Sequence, residues 1–239
     1  FTLLANQNNP KAQMKLGRIY FEDAKNRNIE KSLYYLTLSA NQNYYQAQLA
    51  LGVFFYFGIY RHRDIRKAIY YFTQAANQND EFGCLYLGII YYNEKYIQTN
   101  VEKTIYYLTK AANKNIAIAN LYLGLIYFEN NDIPYNIQKA MHHLNIAANK
   151  NINDAYFYLG MIYYEGNEYI KKDMEKSIYY LVKVSKKNTI AQFTLGEIFY
   201  HDSKCRNIDK ALYHYNLAAN QNDAKSQFML GVIYYKAIY

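Results

Sequence analysis

Leucine and glycine recur as a pair at Leu16-Gly17, Leu51-Gly52, Leu87-Gly88, Leu123-Gly124, Leu159-Gly160, Leu195-Gly196 and Leu230-Gly231. Successive glycines lie 35, 36, 36, 36, 36 and 35 residues apart. A fixed period of this size marks a stack of similar small units, each burying its apolar face against its neighbours. It replaces the one or two globular domains that 239 residues would otherwise suggest. It also argues against a single enclosed enzyme core.

Each unit reads as two helices. In the second, Ala47, Leu51, Phe54 and Phe55 fall at i, i+4, i+7 and i+8, one face of a helix. Ile65, Ala68, Ile69, Phe72, Ala75 and Ala76 repeat that pattern after a connector over 57–63. The connector ends on Asn or Asp, at Asn28, Asp64, Asn100, Asn136, Asp173 and Asn207. Such a residue is an N-cap, accepting bonds from the free N–H groups of the helix that follows. A lysine follows each cap three residues later, at the positive end of the helix dipole where it is mildly unfavourable. Its recurrence requires another cause, a carboxylate partner or packing of its stem. The second helix ends in Ala-Asn-Gln-Asn or a relative of it, and Asn tolerates the left-handed conformation that stops helices. The repeated glycine sits in mid-helix, where it costs about 0.8–1 kcal/mol against Ala. The expected reason is close approach of a neighbouring helix, with the Ala-Ala near the end of the second helix as its small-residue counterpart.

Counted from the glycine, Tyr or Phe falls at +3 throughout, from Tyr20 to Tyr234. A small residue follows a Lys at +16 (Ala68, Thr104, Ala140), and Ala-Ala falls at +23 and +24 in the regular units. In these residues the chain resembles the Sel-one-like repeat family, relatives of the tetratricopeptide repeats with a longer inter-helix loop. It departs from the family in keeping only Gly58 and Gly166 in those loops, and in lacking the cysteine pair that some bacterial members carry in each repeat. The resemblance implies an all-α helical-repeat solenoid, an α/α right-handed superhelix of about six and a half helix-turn-helix repeats. Residues 1–9 would be the tail of a preceding repeat. Full repeats would span 10–44, 45–80, 81–116, 117–152, 153–188 and 189–223, with 224–239 the first helix of another. The resemblance also implies an adaptor that assembles signalling or membrane-associated complexes, with other domains of a longer chain among its partners.

The residues carry few signs of chemistry. No Gly-rich phosphate loop, nucleophile elbow or metal-ligand cluster is present, so no catalytic, cofactor-binding or metal site is expected. His142-His143 stands where other units have Tyr-Tyr, and His201 with Cys205 makes only two ligands. Cys84 and Cys205 lie too far apart in a nearest-neighbour stack to pair, which fits a reducing, cytoplasmic setting. No apolar run is long enough to insert into a membrane. A net charge of +8 leaves basic binding of nucleic acid as an alternative function. Against it, the lysines recur at helix starts rather than beside the aromatics. A second alternative, a cell-wall hydrolase or β-lactamase-like enzyme, follows from activities assigned to some bacterial relatives.

The aromatics carry the functional reading. Beside each +3 ring stands a +4 aromatic: Phe21, Tyr56, Tyr92, Phe128, Tyr164, Tyr200 and Tyr235. Adjacent helical positions point about 100° apart, so if +3 packs in the core, +4 turns to the inner side. By similarity to tetratricopeptide arrays, first helices line the concave groove, where positions −3 and +1 join them. Those positions include Leu85, Ile89, Leu121, Leu125, Phe157 and Met161, and at the sixth glycine Phe193 and Glu197. Such a tyrosine-rich trough suits a protein or peptide partner. The same rings would serve equally as packing between neighbouring helices. The fifth unit breaks the rhythm: its inter-helix loop is one residue longer, and Val184-Ser185 then replaces Ala-Ala, followed by Lys186-Lys187. That basic cluster reads as drift, a change of pitch or a contact for an acidic partner.

Overall fold

The computed structural model describes residues 1–25, 27–59, 62–93, 100–129 and 136–238. Parts of the inter-helix connectors, including 60–61 of the connector read at 57–63, and Tyr239 lie outside the described residues. All regular structure among the described residues is helical, and it falls into two compact units, 1–122 and 123–239.

The first unit opens with the short α1 (Thr2–Asn6), then alternates first and second helices of each repeat. These are α2 (Pro10–Glu22) and α3 (Ile29–Asn41), α4 (Tyr45–Phe57) and α5 (Ile65–Asn77), and α6 (Glu81–Asn93) and α7 (Val101–Ala112). Helix α8 (Ala117–Glu129) carries the divide between the units. The second unit continues with α9 (Ile137–Asn149), α10 (Asn153–Glu165), α11 (Met174–Val184), α12 (Thr189–His201), α13 (Ile208–Ala219) and α14 (Ala224–Ile238).

The expected caps form. Asn28, Asp64, Asn100, Asn136, Asp173 and Asn207 each accept a bond from the backbone N–H three residues on, at 2.9–3.0 Å. Six asparagines end the second helices in the left-handed region, Asn8, Asn43, Asn79, Asn115, Asn151 and Asn222, with φ between 60° and 65°. In the first two repeats these turns are tied to the next helix by amides. Gln13 Nε2 donates to Ala5 O at 3.2 Å, and Gln42 Nε2 donates to Gln13 Oε1 at 2.7 Å. One repeat on, Gln48 Nε2 donates to Ala40 O at 3.4 Å and Gln78 Nε2 to Gln48 Oε1 at 2.8 Å. The buried amides of Gln13 and Gln48 use both of their polar ends, as burial requires.

The mid-helix glycines do admit a neighbour, but the partner differs from the expected one. A methyl group added to Gly17 would lie 2.8 Å from Leu36, and one on Gly52 2.5 Å from Phe72. On Gly88 it would meet Leu108 at 2.5 Å, on Gly124 Leu144 at 2.6 Å, on Gly160 Leu181 at 2.6 Å and on Gly196 Tyr215 at 2.6 Å. The glycine is thus a socket for one large, fully buried side chain from the second helix of its own repeat. The Ala-Ala pair serves another contact. Backbone and Cβ atoms of Ala75 and Ala76 stand 3.0–3.1 Å from a methyl placed on Gly83, a small position five residues before the next socket. The corresponding Ala12, Ala47, Ala119, Ala155 and Ala191 are buried. From the second repeat on, the +2 position from the glycine is buried, at Phe54, Ile90, Ile126, Ile162, Ile198 and Ile233, whereas the +3 rings of the six full repeats are half-buried except Phe199, which is buried.

The fifth repeat departs as its sequence does. Helix α11 stops at Val184, a 3₁₀ turn over Ser185–Lys187 follows, and no left-handed residue closes this joint. Asn188 instead caps α12 by accepting from Ala191 N at 2.8 Å.

The socket is testable at Gly124. Gly124→Ala should lower stability by ~1–3 kcal/mol through overlap with Leu144. Thermal unfolding of the variant checks this, and a gain in stability would contradict the socket.

Candidate partner-binding surface

The +3 ring of each repeat lies parallel to a ring on the second helix. The pairs are Tyr20–Tyr35, Phe55–Tyr71, Tyr91–Tyr107, Tyr127–His143, Tyr163–Tyr180 and Phe199–His214, with centroids 5.6–6.0 Å apart and planes within 10°. This is the offset stacking that aromatic quadrupoles favour. The recurring lysine finds its reason here. Lys31, Lys67, Lys103, Lys139, Lys176 and Lys210 each place Nζ over the +3 ring, 5.1–5.4 Å from its centroid. A cation over a ring face gains about 0.5–1 kcal/mol at an exposed site, which offsets the unfavourable dipole. Lys67 and Lys176 also pair with the capping carboxylates Asp64 and Asp173, at 3.7 and 3.1 Å.

The +4 aromatics occupy a different place. Phe21 packs on Phe54 at 5.0 Å, Tyr56 on Tyr86 at 5.9 Å and Tyr92 on Tyr122 at 5.5 Å, each bridging to the first helix of the following repeat. Phe128, Tyr164 and Tyr200 are likewise half-buried, and Tyr235 is exposed. Of the flanking positions, Ile89, Phe157 and Met161 are half-buried, while Leu85, Leu121 and Leu125 are buried. Within the second unit, Phe157, Met161, Tyr164 and Tyr200 all pack against one core cluster that includes Leu195 and Ile198. Glu197 stands beside them and accepts a bond from the Tyr215 hydroxyl at 2.5 Å. Burial drives the Tyr215 phenol pKa well above its usual value, so this ring remains a donor, and the neighbouring Glu197 reinforces the shift.

A second aromatic row is not the one read from the sequence. Tyr34, Tyr70 and Tyr106 in the first unit, and Tyr179 and Tyr213 in the second, are 55–60% exposed. Each meets the stacked ring beside it edge-on, with centroids 5.0–5.1 Å apart. The Tyr-Tyr doublet of the second helices was the available signal. Its inner ring stacks and its outer ring faces water. His142-His143 keeps the same geometry, at 5.2 Å.

No group of three His, Cys, Asp or Glu that could hold a metal exists among the described residues. Near His201, the Asp202 carboxylate accepts N–H bonds from Lys204 and Cys205, which makes this a turn. Cys84 and Cys205 are free thiols. Among the described residues no helix is long and apolar enough to cross a membrane.

Stacked helix pairs with a socket, a capped second helix and a left-handed asparagine turn define an all-α helical-repeat protein. A model of the Sel1 repeat matches residues 10–44, 46–80, 82–116, 117–152, 153–188, 189–223 and 224–238, and the chain belongs to that family. The structure is similar to the crystal structure of a protective antigen, displaying an SLR fold, present in uropathogenic Escherichia coli strains. The TM-score is 0.86 at 24% identity, covering 97% of this chain and 50% of that one. It is also similar to a Sel1 repeat protein from Oxalobacter formigenes, with TM-score 0.76 and 25% identity over 96% of this chain and 67% of that one. The chain therefore spans half the length of the first of these relatives. No curated protein matches it. Sel1 repeats serve in general as protein-interaction scaffolds and are typically non-enzymatic.

The two histidines in the stacks carry a pH dependence. Burial lowers the pKa of His143 from 6.5 to about 4, helped by His142 and Lys139, and burial with Lys210 does the same to His214. The folded chain thus holds them neutral, and the unfolded chain binds more protons between those values. This stabilisation is complete above pH 6.5 and is lost as the pH falls through 4. The unfolding temperature of His143→Tyr, which restores the common Tyr-Tyr doublet, should therefore fall less between pH 7 and pH 4.5 than that of the parent chain. Equal falls would count against the assignment.

Proposed function

We propose that this chain is a non-catalytic scaffold that holds a protein partner or peptide against the first-helix face of its repeats, within a larger signalling or membrane-associated assembly. The observation that carries this reading is the half-buried state of Tyr56, Tyr92, Tyr164 and Tyr200. Each ring is anchored by packing yet leaves part of its surface to solvent, so it meets a partner with little further loss of side-chain freedom. Leu85 and Leu121 in the first unit and Leu125 in the second are buried at the flanking positions, and within the second unit Phe157 and Met161 extend the surface with Tyr164. The free thiols Cys84 and Cys205 favour a reducing, cytoplasmic setting.

The face is tested by two double variants in the second unit, assayed by affinity capture from the source cell. Tyr164→Ala with Tyr200→Ala should abolish partner capture while lowering stability by a few kcal/mol at most. Tyr179→Ala with His142→Ala, the matching outer position of the fourth repeat, should leave capture intact. The reverse pattern would move the interface to the second helices. Retention of an oligonucleotide that falls steeply with salt would indicate a nucleic-acid binder instead.

A further inference from the structure

The irregular joint after the fifth repeat opens a groove on the side of the second helices. It has a volume of about 620 Å³, within the ~300–1,000 Å³ of pockets that seat ligands. Its walls are aliphatic, Ile178 and Val182 from α11 and Leu217 from α13, with Tyr213 at the side. Val182 is 49% exposed, a large exposure for an aliphatic residue beside a core. Two ammonium groups border it, Lys186 from the 3₁₀ turn and Lys210 from α13, and no carboxylate lines it.

The polar groups at its base already satisfy one another. Gln192 Nε2 donates to Ser185 O at 2.8 Å, and His214 Nδ1 shares a 2.6 Å hydrogen bond with Gln192 Oε1. The Ser185 hydroxyl donates to Val182 O at 3.1 Å. Lys210 is held over the Phe199 ring at 5.2 Å, and Lys186 is exposed and makes no ion pair among the described residues. With His214 neutral above its pKa of about 4, the charge of the groove at neutral pH is that of its lysines.

We propose that this groove binds a partner polypeptide segment in which carboxylates alternate with aliphatic side chains. The aliphatic residues would lie against Ile178, Val182 and Leu217 while the carboxylates meet Lys186 and Lys210. Charge complementarity identifies the occupant as acidic, and the aliphatic walls identify it as peptide. A phosphodiester backbone would need a track of cations and has nothing to place against those walls. The site is separate from the first-helix face proposed above, so each can fail without the other.

Fluorescence anisotropy on the intact chain tests it, using a labelled octapeptide that alternates glutamate and leucine. The peptide should bind saturably at low salt to the parent chain and to Lys11→Glu, a control on α2 with the same change in net charge. Binding to Lys186→Glu and to Val182→Asp should be weaker by about tenfold or more, with helical circular dichroism unchanged. Lys186 is exposed, so its variant keeps the test valid even where Val182→Asp perturbs folding. A lysine–leucine octapeptide should not bind. Absence of saturable binding by the glutamate–leucine peptide, or equal binding by Lys186→Glu and Lys11→Glu, would overturn the proposal. Tighter binding of a single-stranded oligonucleotide, weakened alike by both lysine variants, would overturn it too.

Discussion

One missing methyl group per repeat governs how the two helices of that repeat meet. At Gly17, Gly52, Gly88, Gly124, Gly160 and Gly196 a side chain from the second helix occupies the space a Cβ would fill. The mid-helix glycine costs local helix propensity, and the buried Leu, Phe or Tyr offsets that through apolar burial of about 1.5–3 kcal/mol. Once this contact sets the distance between the helices, the +3 ring falls opposite a ring on the second helix. The lysine three residues past the cap then reaches the face of that +3 ring. Socket, stack and cation form one geometric chain that begins at the glycine.

The period, the two-helix unit and the caps were legible because each depends on local chemistry. Asn28 or Asp64 caps its helix through a backbone N–H three residues away, and that distance is visible in the sequence itself. The occupant of the socket was not legible, because Gly52 and Phe72 are 20 residues apart in the chain. Nothing local marks which apolar residue of a second helix points back. The lysine announced itself as an anomaly, unfavourable at a helix start, but its aromatic partner lies on the preceding helix. The direction of the aromatics was the hardest element. Assigning the core to +3 instead of +2 turns the inferred face of a first helix by about 100°, and on the second helices nothing local marks which ring of a Tyr-Tyr doublet stacks and which stays exposed.

The two faces of a repeat therefore differ in kind. On the first helices, aromatic rings are half-committed to neighbouring repeats, so substitutions there couple recognition to stability. On the second helices, Tyr34, Tyr70, Tyr106, Tyr179 and Tyr213 project from stacks that are already complete. These outer positions can vary with less effect on packing. The fifth repeat shows how such variation accumulates: losing the left-handed asparagine and the Ala-Ala pair leaves the helical pair intact while reshaping the surface beside it.

The stacks also give the protein an optical character. The chain has 31 tyrosines and no tryptophan, so no indole band overlies the phenol absorption. Parallel rings at 5.8–6.0 Å, as in Tyr20–Tyr35, Tyr91–Tyr107 and Tyr163–Tyr180, couple their transitions in a fixed orientation. Near-ultraviolet circular dichroism, which depends on fixed tertiary packing, would therefore sense each of these repeats through its own ring pair. Separation of that signal from the helical one on heating would show that the helices of a repeat part before they melt.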